Sequence, residues 1–175
     1  MDRWRGQQSP FVIICLKKNM IGKKKIEALI EEGLSGTDRF LVELNINEAN
    51  HIEVFIDSDT RVGIDHCVEL SRQIESNLDR EEEDFFLNVS SAGLDLPLRK
   101  KRQYLKHVGQ LLKIKLTDGS QILIRVEEVK EDGILGTPLK KNPNAKKGSR
   151  KPYHEEEPLI IEFNSIQESK IEVVF

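Results

Sequence analysis

The chain has 175 residues, enough for one ordinary domain or two small ones. Hydrophobic residues make up 38% of it and charged residues 33%, a balance that, with the periodic apolar segments described below, excludes a disordered chain. Its two cysteines, Cys15 and Cys67, are too few for a disulfide framework, so we expect a reducing compartment.

The apolar run near the N-terminus, residues 11–16 (FVIICL), is too short to cross a bilayer or to form the core of an export signal. We therefore expect a cytoplasmic protein with no membrane contact. A clean helical pattern opens only after Met20, so we interpret residues 1–19 as a mobile N-terminal extension. The alternative interpretation is that they contain an edge strand.

Residues 20–89 carry the pattern of an α/β domain. From Lys23, apolar side chains recur every three to four residues and predict a helix that ends at Gly33. Strict alternation over residues 40–46 and 52–56 predicts an antiparallel hairpin, and alternation from Phe85 predicts a third strand. A second helix is predicted between them on one apolar stripe, made of Ile64, Val68, Ser71, Ile74 and Leu78. The order is α-β-β-α-β, with two helices on a three-stranded sheet.

The second half is punctuated by tight-turn pairs and predicts only short strands, as in a small bent β-barrel. The five predicted strands are 112–116, 122–126, 134–135, 159–163 and 171–175. The stretch 138–158 is rich in proline and basic residues, and we expect it to be a flexible loop.

The balance of acidic and basic residues changes at the same point in the chain as the predicted secondary structure. Residues 1–98 hold 11 Lys and Arg against 19 Asp and Glu, whereas residues 99–175 hold 16 against 11. Halves of opposite sign suggest a partner that contains both basic protein and nucleic acid.

No catalytic, metal or cofactor site is predicted. Ser90 and Ser91 lack the GxSxG context of an activated serine, no glycine-rich phosphate loop is present, and the four histidines have no metal-ligand spacing. A small hydrolase that uses one of these serines is a remote alternative.

Charged tracts are the candidate contacts. The basic residues could neutralise phosphates of RNA; they are Arg99, Lys100, Lys101, Arg102, Lys106, Lys140, Lys141, Lys146, Lys147, Arg150 and Lys151. An acidic run could dock a basic protein; it comprises Glu81, Glu82, Glu83 and Asp84.

The segment VSSAGLDLPL, residues 89–98, resembles the VSSPGLDRPL signature at the domain junction of the ribosome maturation factor RimP family. The preceding GIDHCVELSRQIESNLDREEEDFFLNV, the following RKKRQYLKHVGQLLKIKL and the C-terminal IIEFNSIQESKIEVVF are similar to that family as well. The resemblance covers roughly residues 21–175. Ala92 stands where the family usually has proline, and Leu96 where arginine is common.

This resemblance implies an N-terminal α/β domain, a connector over residues 90–98, and a C-terminal SH3-like or Sm-like barrel over residues 99–175. It also implies a monomeric, non-catalytic factor that binds the free small ribosomal subunit, both RNA and proteins, and assists late assembly. The connector residues are Ser90, Ser91, Gly93, Leu94, Asp95 and Pro97. We expect Gly93 and Pro97 to fix the angle between the domains, and Leu94, Leu96 and Leu98 to pack at the junction. The alternative function is a stand-alone Sm-like RNA-binding module that forms a ring.

Overall fold

A computed structural model describes residues 22–79, 84–94, 96–141 and 153–173. The proposed extension at residues 1–19 therefore lies outside the described residues, as does most of the basic part of the loop predicted at 138–158.

The first half is a three-stranded sheet with two helices on one face. Strands β1 (Arg39–Ile46) and β2 (His51–Ser58) form an antiparallel hairpin, and β3 (Phe86–Ser91) pairs parallel with β2. Helices α1 (Lys23–Leu34) and α2 (Ile64–Ser76) precede β1 and β3. The predicted α-β-β-α-β order is confirmed.

Alternation along β2 places its apolar side chains under the helices. Ile52, Val54 and Ile56 are fully buried and pack with Ile30 of α1 and Ile74 of α2 in one hydrophobic cluster. The residues between them point to the opposite face, which α1 and α2 do not cover.

Two details of the predicted helices are wrong. Gly33 lies inside α1, which ends at Leu34. On α2, Ile64 is 84% exposed and Val68 is exposed as well, whereas Leu70 and Ile74 are buried. Ile64 and Leu70 are six residues apart, or about 120° around the helix, so the predicted stripe is rotated away from the buried face and meets it at Ile74 and Leu78.

The second half is a six-stranded antiparallel sheet with the order β7-β6-β5-β4-β9, in which β8 also pairs with β6. Its strands are β4 (Leu111–Leu116), β5 (Gln121–Val129), β6 (Gly133–Lys141), β7 (Tyr153–Glu155), β8 (Leu159–Glu162) and β9 (Ile166–Ile171). A 3-10 turn, η1 (Phe163–Ser165), joins β8 to β9. No strand pairing within the described residues links β8 to β9, so the sheet is not closed.

The second half differs from the prediction in three places. A short helix, α3 (Lys101–Lys106), precedes β4 and was not predicted. Strands β6 and β7 occupy both ends of the stretch 138–158 that was expected to be loop. Strand β9 ends at Ile171, where the last strand was predicted to begin. The buried side chains of this half form their own hydrophobic cluster, separate from the first.

Candidate functional site: a charged contact between the two sheets

Helix α3 is positioned by a buried glutamine. The side chain of Gln103 is 2% exposed, and its Oε1 accepts hydrogen bonds from the backbone N–H groups of Arg99 (2.8 Å) and Lys100 (3.1 Å). Its Nε2 donates to Oδ2 of Asp57 at the end of β2, at 3.1 Å. One side chain therefore caps α3 and ties it to the first sheet.

Asp57 is the acceptor at the centre of this arrangement. It is buried, and its Oδ1 accepts from Nζ of Lys106 and from the backbone N–H of Ser58, each at 2.8 Å. Burial by itself would raise the pKa of this carboxyl group. The hydrogen bonds from Lys106, Ser58 and Gln103 outweigh burial, so the pKa of Asp57 lies below its ordinary value and the group is charged at neutral pH.

Arg102 makes a second, more exposed link. Its Nε donates to Oδ1 of Asp59 at 2.9 Å, its Nη2 donates to Oδ2 of the same carboxylate, and its guanidinium carbon lies 4.5 Å from the centre of the Phe40 ring. This combines a bidentate ion pair with a cation–π contact. We call Asp57, Asp59, Arg102, Gln103 and Lys106 the charged contact.

The opposite side of α3 is fixed to the second sheet. Tyr104 is buried, its hydroxyl is hydrogen-bonded to Oγ of Ser169 in β9, and its ring meets that of Phe163 edge-on at 5.3 Å. The backbone N–H of Leu98 donates to the carbonyl of Ser169 at 2.8 Å. The helix therefore belongs to the second half and presents its cations to the first.

The connector predicted at residues 90–98 begins inside the first sheet. Ser90 and Ser91 are the last residues of β3, and the N–H of Ala92 still donates to the carbonyl of Ile56 at 2.9 Å. Gly93 has φ of +56°, the left-handed conformation that glycine favours.

Beyond Gly93 the connector enters the second half. Leu94 is exposed, so the expectation that it packs at the junction is wrong, whereas Leu98 is buried in the second hydrophobic cluster. Pro97 lines a groove beside η1, and Asp95 lies outside the described residues.

The predicted basic residues separate into three groups. Arg102 and Lys106 belong to the charged contact, and Arg99 lies 3.6 Å from a carboxylate oxygen of Glu43. Lys100 and Lys101 are exposed at the start of α3, and Nζ of Lys140 pairs with Glu156 at 2.6 Å. The side chain of Lys141 and all of four further residues lie outside the described part of the chain; they are Lys146, Lys147, Arg150 and Lys151.

Of the acidic run, only Asp84 is described, and it is exposed. Glu81, Glu82 and Glu83 lie outside the described residues. The expected contacts of the acidic and basic residues with protein and RNA stay predictions. Within the described ranges, no cluster of side chains could hold a metal ion, and no helix is both long and apolar enough to cross a bilayer.

Comparison with known proteins places this architecture in a family. A family model described as the RimP N-terminal domain matches residues 26–95. The chain is 37% identical over 157 residues to the ribosome maturation factor RimP of Flavobacterium psychrophilum, which covers 89% of this chain and 100% of the relative. The chain belongs to the ribosome maturation factor RimP family.

Two further relatives of the same name support the assignment. RimP of Christiangramia forsetii is 34% identical over 87% of this chain and 99% of its own length. RimP of Porphyromonas gingivalis is 40% identical over 66% of this chain and 76% of its own length. The alignments with the first two span both sheets, so the likeness to RimP includes the second half as well as the N-terminal domain.

Sequence reasoning missed the acceptors of the charged contact. Asp57 and Asp59 lie just after the predicted second strand, and no role was predicted for them or for Gln103. A signal was present: Gln103 and Lys106 are three residues apart, which places them on one side of a helix once α3 is recognised.

Proposed function

We propose that this chain takes part in ribosome maturation by binding the free small ribosomal subunit in the cytoplasm, as a non-catalytic assembly chaperone. The observation that carries the proposal is the match along 89% of the chain, and along the full length of the relative, to a protein named ribosome maturation factor RimP. Binding energy alone would hold an immature region of the subunit until its native proteins arrive.

We further propose two domains, over residues 20–89 and 99–175, joined by residues 90–98. The separate hydrophobic clusters support this division, as does the family match that ends at residue 95. For the second domain we infer an SH3-like barrel. In support, β8 and β9 lie at opposite ends of the path β8-β6-β5-β4-β9, and the short turn η1 joins them, so the sheet must curve strongly.

Ribosomal RNA would bind the cations that the charged contact leaves accessible. Lys100 and Lys101 are exposed, and Lys140 leads into the basic stretch that ends at Lys151. Because neutralised phosphates release counterions, affinity for the subunit should fall steeply as salt rises. Each lysine that contacts phosphate should add about one unit to the slope of log affinity against log salt.

Sedimentation of a tagged chain in a lysate gradient tests the proposal. We expect the protein to travel as a monomer at the top of the gradient and with free small subunits, but not with whole ribosomes. Raised salt should move it to the top. Replacing Lys100 and Lys101 together by glutamate should weaken co-sedimentation.

The matched control replaces Lys24 and Lys25, two exposed lysines of α1, by glutamate, which makes the same charge change on the first half. Equal loss in both variants would contradict the assignment of RNA binding to the second half. Absence of the wild-type protein from the small-subunit fractions at low salt would refute the function itself.

A further inference from the structure

The first sheet has one face that its own helices leave bare. In β2, His51, Glu53 and Phe55 alternate with the buried residues and point away from α1 and α2. Their partners on the neighbouring strands lie on the same face in register. The open face consists of Glu43, Asn45, His51, Glu53, Phe55, Phe86, Asn88 and Ser90.

The second half already occupies one end of this sheet surface. Phe40 and Asp57 are paired in register at that end, where Arg102 lies over the Phe40 ring and Lys106 donates to Asp57. At the next cross-strand pair on this face, Glu43 with Phe55, Arg99 approaches Glu43. The intramolecular contact therefore demonstrates the chemistry that this surface accepts: guanidinium and ammonium groups set against aromatic rings and carboxylates.

The other end carries the same chemistry, and no helix or strand of the described ranges covers it. Phe86 is 61% exposed, and its ring lies 5.5 Å from that of His51 on the adjacent strand. Glu53, one row nearer the charged contact, is exposed. An exposed aromatic ring on a sheet surface is a hydrophobic feature that binding would cover.

The charge of the open face selects the class of partner. None of its residues is lysine or arginine, although Lys23 of α1 lines a depression together with Asn45, His51 and Glu53. RNA laid across the face would meet Glu43 and Glu53, whose charges repel phosphate. A positively charged protein segment would find carboxylates and aromatic rings, the groups that Arg99 and Arg102 contact at the other end.

We propose that the uncovered end of the open face binds an arginine- and lysine-rich segment of a partner protein, which continues the row of cations begun by Arg99 and Arg102. The aromatic pair His51 and Phe86 receives a guanidinium group, and Glu53 supplies the opposite charge. This inference depends on the proposed function only for the partner's origin, which would be a basic extension of a ribosomal protein.

Fluorescence anisotropy of the purified full chain with a short labelled arginine–glycine peptide tests the proposal. Glu53→Lys and Phe86→Ser should each weaken binding by about fivefold or more, since each removes one ion-pair or cation–π contact. The control is Glu31→Lys, the same charge change at an exposed site of α1 on the opposite side of the sheet. It should leave the affinity unchanged.

Loss of binding in Phe86→Ser can be separated from loss of folding, because Phe85 and Phe86 differ in burial. Phe85 is buried in the core, whereas Phe86 lies outside it, so Phe86→Ser should retain the wild-type thermal melt. Should it not, Glu53→Gln provides a variant with no change of size, and its weaker binding would support the proposal by itself. Unchanged affinity in Glu53→Lys, or equal loss in Glu31→Lys, would overturn it.

A labelled oligouridylate tests the competing class of ligand. If it binds wild type and gains affinity in Glu53→Lys while the peptide does not bind, the open face is not a protein-docking surface. The gradient experiment separates this result from the proposed function. If the peptide binds but the wild-type chain does not co-sediment with small subunits, the proposed function is refuted and the peptide-binding surface stands. If the chain co-sediments but the peptide does not bind, only the proposed surface is refuted.

Discussion

Asp57→Asn tests whether the charged contact holds the two halves together. The substitution preserves size but removes the charge that Lys106 faces, and it places an amide N–H₂ where one of three donors now binds. Breaking a fully buried ion pair costs about 3–5 kcal/mol, and breaking an exposed pair costs less than about 1 kcal/mol. The two side chains are 12% and 25% exposed, so we expect a loss of about 2 kcal/mol.

Urea denaturation followed by far-ultraviolet circular dichroism measures this loss. With a slope of about 2 kcal/mol per molar urea, the midpoint should fall by about 1 M. Asp59→Asn is the matched control, because it makes the same chemical change in the half-exposed pair with Arg102 and should lower the midpoint less than Asp57→Asn does. Equal effects of the two substitutions, or an Asp57→Asn variant as stable as wild type, would refute the reasoning.

The same variant has a defined pH signature. The pKa of Asp57 is lower in the folded chain than the value of about 3.9 expected after unfolding, so its contribution to stability is present above that unfolded value. The contribution is lost as pH falls through the folded pKa. The difference in stability between wild type and Asp57→Asn should therefore be constant from about pH 5 to 7 and shrink below about pH 4. A difference that grows in acid would contradict the assigned charge.

Three further substitutions test individual contacts. Burial lowers the pKa of His107 in the folded chain, so the unfolded chain binds a proton at higher pH than the folded chain does. Stability should therefore fall as pH drops below about 6.5, the pKa of an unfolded histidine. His107→Gln should reduce the change in Tm between pH 7 and pH 5. Gly133→Ala should destabilise the chain by about 1–3 kcal/mol in urea denaturation, since its Cβ would overlap the carbonyl oxygen of Ile161. Tyr104→Phe removes the hydroxyl that is hydrogen-bonded to the buried Oγ of Ser169, and the free energy of unfolding should fall by about 1–2 kcal/mol. An unchanged urea midpoint would mean that this hydrogen bond does not stabilise the fold.

Periodicity predicted the first sheet well because each strand there has one buried face. Ile52, Val54 and Ile56 alternate with polar residues, so β2 could be assigned from the pattern alone. The buried face of α2 was misplaced because Ile64 and Val68 are apolar but exposed. Apolar character shows which residues can be buried, while the position of the sheet decides which of them are.

Helix α3 escaped prediction for a different reason. Its six residues bury Gln103 and Tyr104 and expose Leu105, which reverses the usual hydrophobic pattern of an amphipathic helix. The helix is stabilised by a side-chain cap and by long-range hydrogen bonds to Asp57 and Ser169, residues distant in the sequence. No local pattern contains that information, and the charged contact could not be predicted without it.

The geometry of α3 also revises what the opposite charges of the two halves do. Arg99, Arg102 and Lys106 recur at spacings of three and four residues, so they share one side of the segment and face the acids of the first sheet. Lys100 and Lys101 fall on other sides and stay exposed to solvent. Phosphate could recruit Lys106 only by leaving the buried Asp57 without its cation, at a cost of about 2 kcal/mol. Part of the charge asymmetry thus joins the halves to each other, and only the remainder is accessible to partners.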